Sequence, residues 1–206
     1  MTRRLTRLGL VWLTVAALSA VAASAAAAKT VTKTATFNQC VSTAVPTVAR
    51  GAIAATINVP VPKNGKKVQD GTVTAFTTVG TRITHTADNN LTLNLVSPAG
   101  KAIALATHRG SSGDGFGTGE ASCAGSQLLF GDTFGTPIAT PGNTANNPIV
   151  GAFKPEQPLS TFVGGPARGA WTLLVSDDAT VHQPGSINAF SLSFTYTFKK
   201  PLKKKK

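Results

Sequence analysis

Two alternating runs of apolar and polar residues near the C-terminus constrain the fold of this chain more than any other feature. In the first run, Trp171, Leu173 and Val175 fall on one side of an extended strand. In the second, apolar residues at every second position, beginning with Phe190 and Leu192, alternate with Ser and Thr. Such strands bury one face and leave the other open to solvent. We therefore predict a β-sheet packed on a core that includes Trp171, Leu173, Phe190 and Leu192.

The remaining chain repeats this theme in shorter pieces. Segments rich in Val, Ile, Thr and Phe recur between clusters of Gly, Pro and Asn, and the 20 Gly and 12 Pro favour many short strands joined by turns. We predict a single all-β domain, an antiparallel β-sandwich of jelly-roll type with about eight strands. The predicted strands are Ala52–Val59, Thr72–Val79, Arg82–Thr86, Leu91–Val96, Ala102–Thr107, Gln127–Phe130, Ala170–Ser176 and Ser186–Phe198.

Residues 1–28 have the pattern of a signal peptide. Three arginines fall within the first seven residues, an apolar stretch follows, and Ala26-x-Ala28 is a small-residue cleavage pattern. The uncharged run from Leu8 to Ala28 is also long enough for a retained transmembrane anchor. Its second half is almost entirely Ala and Ser, which favours cleavage. We predict a secreted or envelope-associated protein, with residues 29–50 as a lead-in to a sandwich over residues 51–198.

Positive charge is concentrated at the two ends of the chain. The net charge is +12, but ten Lys and Arg against eight Asp and Glu between Thr30 and Phe198 leave only +2. This distribution argues against a nucleic-acid partner, since nucleic-acid-binding proteins carry their positive charge on the fold. Residues 199–206, after the predicted end of the last strand at Phe198, form a basic tail that is solvated or attaches to an anionic envelope. The lysines available for that attachment are Lys203, Lys204, Lys205 and Lys206.

The chain has two cysteines, Cys40 and Cys123. In an exported protein an even count of two is most simply one disulfide. No CxxC spacing or cluster of His accompanies them, so a metal site is disfavoured. We predict a Cys40–Cys123 bridge.

The C-terminal pattern resembles the end of the P domain, also called the P/Homo B domain, which follows the catalytic domain in kexin- and furin-like proprotein convertases and in many secreted bacterial proteases. Upstream pieces occur in the family's order, and the succession spans Ile53 to Phe198. The C-terminal matches are Gly169-x-Trp171-x-Leu173, Val175-x-Asp177, Gly185-x-Ile187 and Phe190-Ser191-Leu192-x-Phe194. The upstream matches are His85-Thr86, Asn90-Leu91-x-Leu93-x-Leu95, Ser97-Pro98-x-Gly100, Gly110 to Asp114, Phe130-x-Asp132, Phe153-x-Pro155 and Pro158-Leu159-Ser160-x-Phe162-x-Gly164.

This resemblance implies a galactose-binding-like jelly roll that is not itself a catalyst. In the family the domain packs on a subtilisin-like serine endopeptidase and supports its folding, so such a protease is the implied partner. The sequence departs from the family at Asn90, where an acidic residue is usual, and at Gly131, which reduces the acidic pair around Asp132. Phe190 stands where the family often has Trp. The acidic losses weaken a calcium site carried over from relatives.

No catalytic constellation is visible in the sequence. The histidines are His85, His108 and His182, and the family pattern gives His85 a structural role. A serine-protease triad needs His, Asp and Ser in separate motifs with an oxyanion donor, and those motifs are absent. A hydrolase is therefore disfavoured.

Two other readings stay open for the acidic and aromatic residues. Asp88, Asp132 and Asp177, with Glu156, have the oxygen ligands that Ca²⁺ prefers, although ordinary loop polarity is the favoured explanation because no calcium-loop motif accompanies them. Asp177 and Asp178 are neighbours on a strand end, so their side chains are expected to diverge. The alternative function is a carbohydrate- or envelope-binding sandwich, which needs exposed aromatics, whereas Trp171 and Tyr196 fall on predicted core faces.

Overall fold

The computed structural model describes residues 28–40, 42–44, 51–60, 63–64, 67–68, 71–110, 114–119, 124–140, 148–180 and 183–200. Within them the chain is built almost entirely from extended strands, with two 3₁₀ turns at Asp88–Asn90 and Leu159–Phe162. The strands are β1 Lys29–Gln39, β2 Thr43–Ala44, β3 Ala52–Val59, β4 Lys63–Asn64, β5 Lys67–Val68, β6 Thr72–His85, β7 Leu91–Val96, β8 Ala102–Thr107, β9 Gly115–Phe116, β10 Leu128–Phe130, β11 Gly151–Phe153, β12 Gly169–Asp177 and β13 Gly185–Lys200.

Two sheets form the predicted sandwich. The first has the order β1-β13-β6-β10-β11, with β2 added to β13 and β9 added to β6. The second has the order β3-β12-β7-β8, and β4 and β5 form a separate two-stranded hairpin. Strand pairing is antiparallel, as predicted for the sandwich, except between β10 and β11, which run parallel. The two strands lie apart in the chain, separated by a long connection instead of a hairpin turn.

One hydrophobic core fills the space between the sheets. Trp171, Leu173, Phe190 and Leu192, the four residues predicted for it, are each fully buried. The Trp171 ring packs edge-on against two neighbouring aromatic rings, and its Nε1 donates a hydrogen bond of 3.0 Å to the Ala167 carbonyl. A buried indole keeps its one polar atom satisfied in this way. The alternation of β12 and β13 therefore identified the core face correctly.

Thr72–Val79 and Arg82–Thr86 were predicted as two strands, and this prediction was wrong. They form one continuous strand, β6, which pairs with β13 along its length. The strand continues through position 80 because Gly80 has no side chain to collide with the groups that pack over it. A Cβ at this position would lie 2.0 Å from Gln127 Oε1 and 2.3 Å from Ser191 Oγ, which hydrogen bond to each other across it. A glycine inside a strand marks a close approach here, and not a turn.

The segment predicted as a lead-in contains a sheet strand. Lys29 to Gln39 form β1, which pairs antiparallel with β13 from Phe190 to Lys200. Its inward-facing apolar residues are few, with Phe37 packing 5.6 Å from Phe194 between ring centroids, while its outward positions are mostly Thr. Pairing with β1 also carries β13 beyond the predicted end at Phe198 to Lys200, immediately before Pro201. The folded part of the chain therefore begins earlier and ends later than the sequence indicated.

No helix among the described residues is long and apolar enough to cross a membrane.

Candidate functional site

Polar and titratable residues gather at the end of the sandwich where β13 begins. The loops that follow β6, β8 and β12 meet there, joined by backbone hydrogen bonds from His108 N to Leu91 O and from Asp178 N to Asn90 O, each of 2.9 Å. We call this region the acidic end. Its acidic residues are Asp88, Asp114, Glu156, Asp177 and Asp178.

A buried histidine–carboxylate pair lies at the base of the acidic end. His85, the last residue of β6, places Nε2 3.4 Å from Asp177 Oδ2, and both side chains are buried. The His85 Nδ1 atom accepts a hydrogen bond of 3.2 Å from the Ala87 N–H. The second oxygen of Asp177 accepts a 2.9 Å hydrogen bond from Ala179 N. Both side chains are therefore held by the fold and closed to solvent, which suits a structural role and not an encounter with a substrate.

A second pair of the same chemistry lies at the surface. His108 Nε2 is 2.7 Å from Asp178 Oδ2, and both side chains are about half exposed. His108 has a backbone φ of 51°, in the left-handed region that non-glycine residues adopt at a cost. The sequence prediction that Asp177 and Asp178 diverge is confirmed, because one carboxylate enters the core and the other faces solvent.

Asp88 is a buried carboxyl group with little hydrogen bonding. Its side chain is fully buried, and among the described residues neither carboxylate oxygen accepts a hydrogen bond of good geometry. Burial raises its pKa from 3.8 to about 7, and the charge of Asp114 adds to this effect, while the backbone N–H of Gly115 opposes it only in part. Gly110 lies directly over it, since a Cβ there would be 2.7 Å from Asp88 Cβ. This group therefore changes charge near neutral pH inside the fold.

The predicted calcium ligands do not form one site. Asp132 accepts hydrogen bonds from the backbone N–H groups of Leu159, at 2.7 Å, and Ser160, at 2.8 Å, so its carboxylate holds the second 3₁₀ turn. Asp177 is engaged by His85, and Asp88 is enclosed separately. Among the residues the structure describes, no three His, Cys, Asp or Glu side chains are grouped so that they could hold a metal ion. The calcium prediction on Asp88, Asp132 and Asp177 was therefore wrong as a shared site, because local hydrogen bonds already occupy two of the carboxylates.

Glu156 belongs to an ion pair beside an open groove. It accepts hydrogen bonds from Arg109 Nε, at 2.6 Å, and from Thr107 N, at 2.9 Å. Burial alone would raise the pKa of Glu156, but these hydrogen bonds and the Arg109 charge outweigh it and lower the pKa below its ordinary value. The groove, of about 300 Å³, is lined by Asp132, Lys154, Pro155, Glu156, Pro158 and Ser160. It is shallow and mixed in charge, with no nucleophile held beside a base.

Arg82 is the functional-looking residue that the sequence did not single out. Its side chain is 1% exposed, and its guanidinium donates to the Ala124 carbonyl in the glycine-rich segment. Gly119 and Gly125 pack against the guanidinium, since a Cβ on either would lie 2.6 Å from Arg82 Nη1. The buried guanidinium therefore holds this part of the glycine-rich segment through packing and a hydrogen bond. The alternating pattern of β6 did not predict that Arg82 is buried, and the only signal in the sequence was the spacing of the loop glycines.

Several predicted residues fall outside the described part of the chain or at its border. Cys40 follows β1 and is not a free thiol. Cys123 lies outside the described residues, so the Cys40–Cys123 bridge stays a prediction. The predicted signal peptide, apart from Ala28, and the tail lysines Lys203, Lys204, Lys205 and Lys206 also lie outside them.

No protein-family model matches this chain, and no curated protein matches it. Solved structures do show a distant likeness. The complex of Aeromonas sobria serine protease with its chaperone is 16% identical with a TM-score of 0.41, covering 81% of this chain and 27% of that chain. The serine protease of Aeromonas sobria alone is 16% identical with a TM-score of 0.40 and the same coverage. The chain thus spans little more than a quarter of the length of these structures.

Proposed function

We propose that this chain is a non-catalytic module of P-domain type that binds and stabilises a subtilisin-like serine protease. The module acts outside the cytoplasm, in line with the signal-peptide pattern of residues 1–28. It supplies no reacting group to proteolysis. Its contribution is a rigid β-sandwich that holds its partner in the folded state, because a partner bound only when folded is stabilised by mass action.

The observation that carries the proposal is where the resembling residues lie in the fold. Trp171 on β12 and Phe194 on β13 come from opposite sheets, and their rings meet at a centroid distance of 5.6 Å. The Ser97-Pro98-x-Gly100 piece forms the turn between β7 and β8, with Gly100 N donating to Ser97 O at 2.9 Å and Gly100 at a φ of 77°. The motifs in the family's order are therefore the parts that build the core and its turns.

The geometry of the two histidines in the described part of the chain, His85 and His108, fits a non-catalytic module. His85 and Asp177 have the chemistry of a base and its orienting carboxylate, but both are buried and closed to solvent. His108 is accessible, and it pairs with Asp178 across a surface loop. Neither arrangement presents a histidine beside an activated hydroxyl group, as acyl transfer by a serine protease needs.

The exposed aromatic platform that many carbohydrate-binding sandwiches need is not found among the described residues. Trp171 is fully buried and Tyr196 is 3% exposed. The exposed large apolar side chains in the described part are Val150 and Val163. Burial in the core also raises the pKa of the Tyr196 hydroxyl. These positions favour a protein partner over stacking on sugar rings.

The proposal is tested by capturing the partner with the full chain as bait. The chain is incubated with the secreted fraction of its source cells at low and high salt, and retained serine hydrolases are labelled with a fluorophosphonate probe. We expect one labelled subtilisin-like protease to be retained at both salt concentrations. Adding the purified chain to that protease should raise the temperature at which its activity is lost.

Two variants of the bait distinguish specific binding by the folded domain from nonspecific adhesion of the chain. Trp171→Ala removes the centre of the core and should abolish retention, whereas His108→Ala at the surface should leave the bait folded and competent. Fluorophosphonate labelling of the chain itself would contradict the non-catalytic assignment. Retention of no serine hydrolase by the folded bait would overturn the protease partner.

A further inference from the structure

Charge is sorted along the long axis of this sandwich. Five of the six acidic residues that the structure describes lie at the acidic end, where β13 begins, and Asp132 lies near the middle. Strand β13 spans 16 residues, from Gly185 to Lys200, which is about 50 Å of extended chain. Its far end carries exposed lysines in place of carboxylates. We call this far end the basic end and define it by Lys29, Lys33, Lys199 and Lys200.

Strand pairing brings lysines from opposite ends of the sequence to the same end of the sheet, with Lys199 on the other face from Lys29, Lys33 and Lys200. Lys29 is the register partner of Lys200, and Thr30 is the partner of Lys199, so three lysines occupy adjacent positions on two paired strands. Lys33 follows four residues along β1. Like charges placed opposite each other on paired strands repel. None of the ion pairs in the described part of the chain involves these lysines, and Lys199 Nζ donates only to the Thr30 hydroxyl, at 3.0 Å.

The chain that leads into and out of this end contains further lysines in the sequence. The β4–β5 hairpin, which contains Lys63 and Lys67, connects the end of β3 to the start of β6, and the start of β6 pairs with β13 at Thr197. The chain after Lys200 continues with Lys203 to Lys206. Among the residues that the structure describes, this end therefore carries lysines and no carboxylate. Among the described strands, β1 pairs with β13 alone, so no described strand covers its other edge.

We propose that the basic end binds a linear polyanion whose charge is carried by phosphate groups. The surface is an open strand edge and not a pocket, so it fits an extended polymer recognised by its charge density. The four defining residues are all lysines. Lysine ammonium groups bind phosphate as point charges and need no fixed bidentate geometry, which suits a flexible polymer on an open surface. This function is separate from protease binding, and it leaves the acidic end free.

The test is a titration of labelled inorganic polyphosphate with the full chain, followed by fluorescence anisotropy at about 50 mM and about 500 mM salt, because screening weakens such binding steeply. The central variant carries Lys29→Gln, Lys33→Gln, Lys199→Gln and Lys200→Gln, all at exposed positions. We expect it to bind polyphosphate on the order of tenfold more weakly at low salt. Its thermal unfolding should match that of the unmodified chain, which confirms that only the surface changed.

Single-charge variants provide the matched control. Lys33→Gln should weaken binding measurably, whereas Lys154→Gln, which removes an equally exposed lysine away from the basic end, should not. Equal losses from both would overturn a localised site. Unchanged binding by the fourfold variant, together with loss in a chain ending at Lys200, would assign binding to the tail and overturn the proposal.

Two further probes test the chemistry of the ligand. Polyglutamate of matched charge should bind more weakly than polyphosphate, and equal or tighter binding would overturn the phosphate assignment. Double-stranded DNA also carries its charge on phosphate groups, so tighter binding to DNA than to polyphosphate would keep the phosphate assignment and identify nucleic acid as its source. If the fourfold variant lost polyphosphate binding but still retained the protease, the result would show that the two binding functions use separate surfaces.

Discussion

His85 Nε2 and Asp177 Oδ2 lie 3.4 Å apart inside the sandwich, although 92 residues separate them in the sequence. The pair joins the end of β6 in one sheet to the end of β12 in the other. Two buried polar groups are tolerable here only because each satisfies the other. The contact therefore links the two sheets at the acidic end as a structural tie.

This tie predicts very different effects for two neighbouring aspartates. Asp177→Ala leaves His85 buried without its partner and should lower the free energy of unfolding by about 1–3 kcal/mol. Asp178→Ala breaks only the half-exposed pair with His108 and should cost no more than about 0.5 kcal/mol. Urea unfolding of both variants at the same pH measures the difference. Equal losses would show that the buried pair contributes no more than the surface pair.

The stability of the fold should depend on the ionisation of Asp88. Its pKa is 3.8 when unfolded and about 7 when folded, so the folded state favours the protonated form. The stability it contributes is fully present below about pH 4 and is lost as the pH rises through about 7. Between pH 5 and 7 we expect a fall of about 2–3 kcal/mol in the free energy of unfolding. Urea midpoints across this range measure it.

Asp88→Asn is the matched variant for this pH effect. It keeps the shape of the side chain and removes its titration, so the fall between pH 5 and 7 should largely disappear. At pH 8 the variant should be more stable than the unmodified chain. Asp114→Asn should reduce the fall only in part, because burial is the larger cause. A pH dependence unchanged by Asp88→Asn would assign the effect to another group.

Glycine should be required at position 115 and only preferred at position 100. Gly115 has a φ of 119°, and a Cβ there would lie 2.1 Å from the backbone oxygen of Ile83. Gly115→Ala must therefore push β9 away from β6, at a cost of about 3 kcal/mol or more. Gly100 has a φ of 77° but open space around it, so Gly100→Ala should cost only about 1–2 kcal/mol. Thermal unfolding of the two variants ranks them, and the reverse order would contradict the close β9–β6 approach.

Adjacent substitutions test whether β1 belongs to the cooperative unit. Phe37→Ala removes a half-buried ring that packs on Phe194 and should destabilise the fold by about 1–3 kcal/mol. Thr36→Ala changes an exposed neighbour that hydrogen bonds only to Ser193 Oγ and should have little effect. Denaturant midpoints give both values. If Phe37→Ala were as mild as Thr36→Ala, β1 would be a dispensable addition to the sheet.

The sequence predicted correctly those strands in which one face is fully buried. Leu91, Leu93 and Leu95 share a fully buried face, and their alternation was readable without any partner. Strand β1 was missed because an edge strand needs little apolar surface: only Val31, Ala35, Phe37 and Gln39 are partly buried, and its other positions are exposed. Gly80 was misread as a break because only the structure shows what packs above it.

The candidate site was harder to predict than the fold because its contacts are long-range. Nothing local to Arg82 shows that it will be buried beneath Gly119 and Gly125. Likewise, Asp88 and Asp132 were grouped as calcium ligands because both are carboxylates. In the structure Asp132 accepts hydrogen bonds from two backbone N–H groups, whereas among the described residues neither oxygen of Asp88 accepts one of good geometry. Sequence reveals which side chains have suitable oxygens. Only the folded arrangement of the loops shows which of those oxygens already accept hydrogen bonds from the protein.

The pairing of β1 with β13 has a consequence for when the fold can be completed. The first described strand of the domain has its partner in the last, and β13 is also the neighbour of β6 at the centre of the larger sheet. During synthesis from the N-terminus, β1 and β6 must therefore wait, unpaired on that side, until nearly all of the chain has emerged. Closure across so many residues is slow, and waiting strand edges are prone to aggregation. Assembly of this sheet is thus a late event, timed by its final sixteen residues.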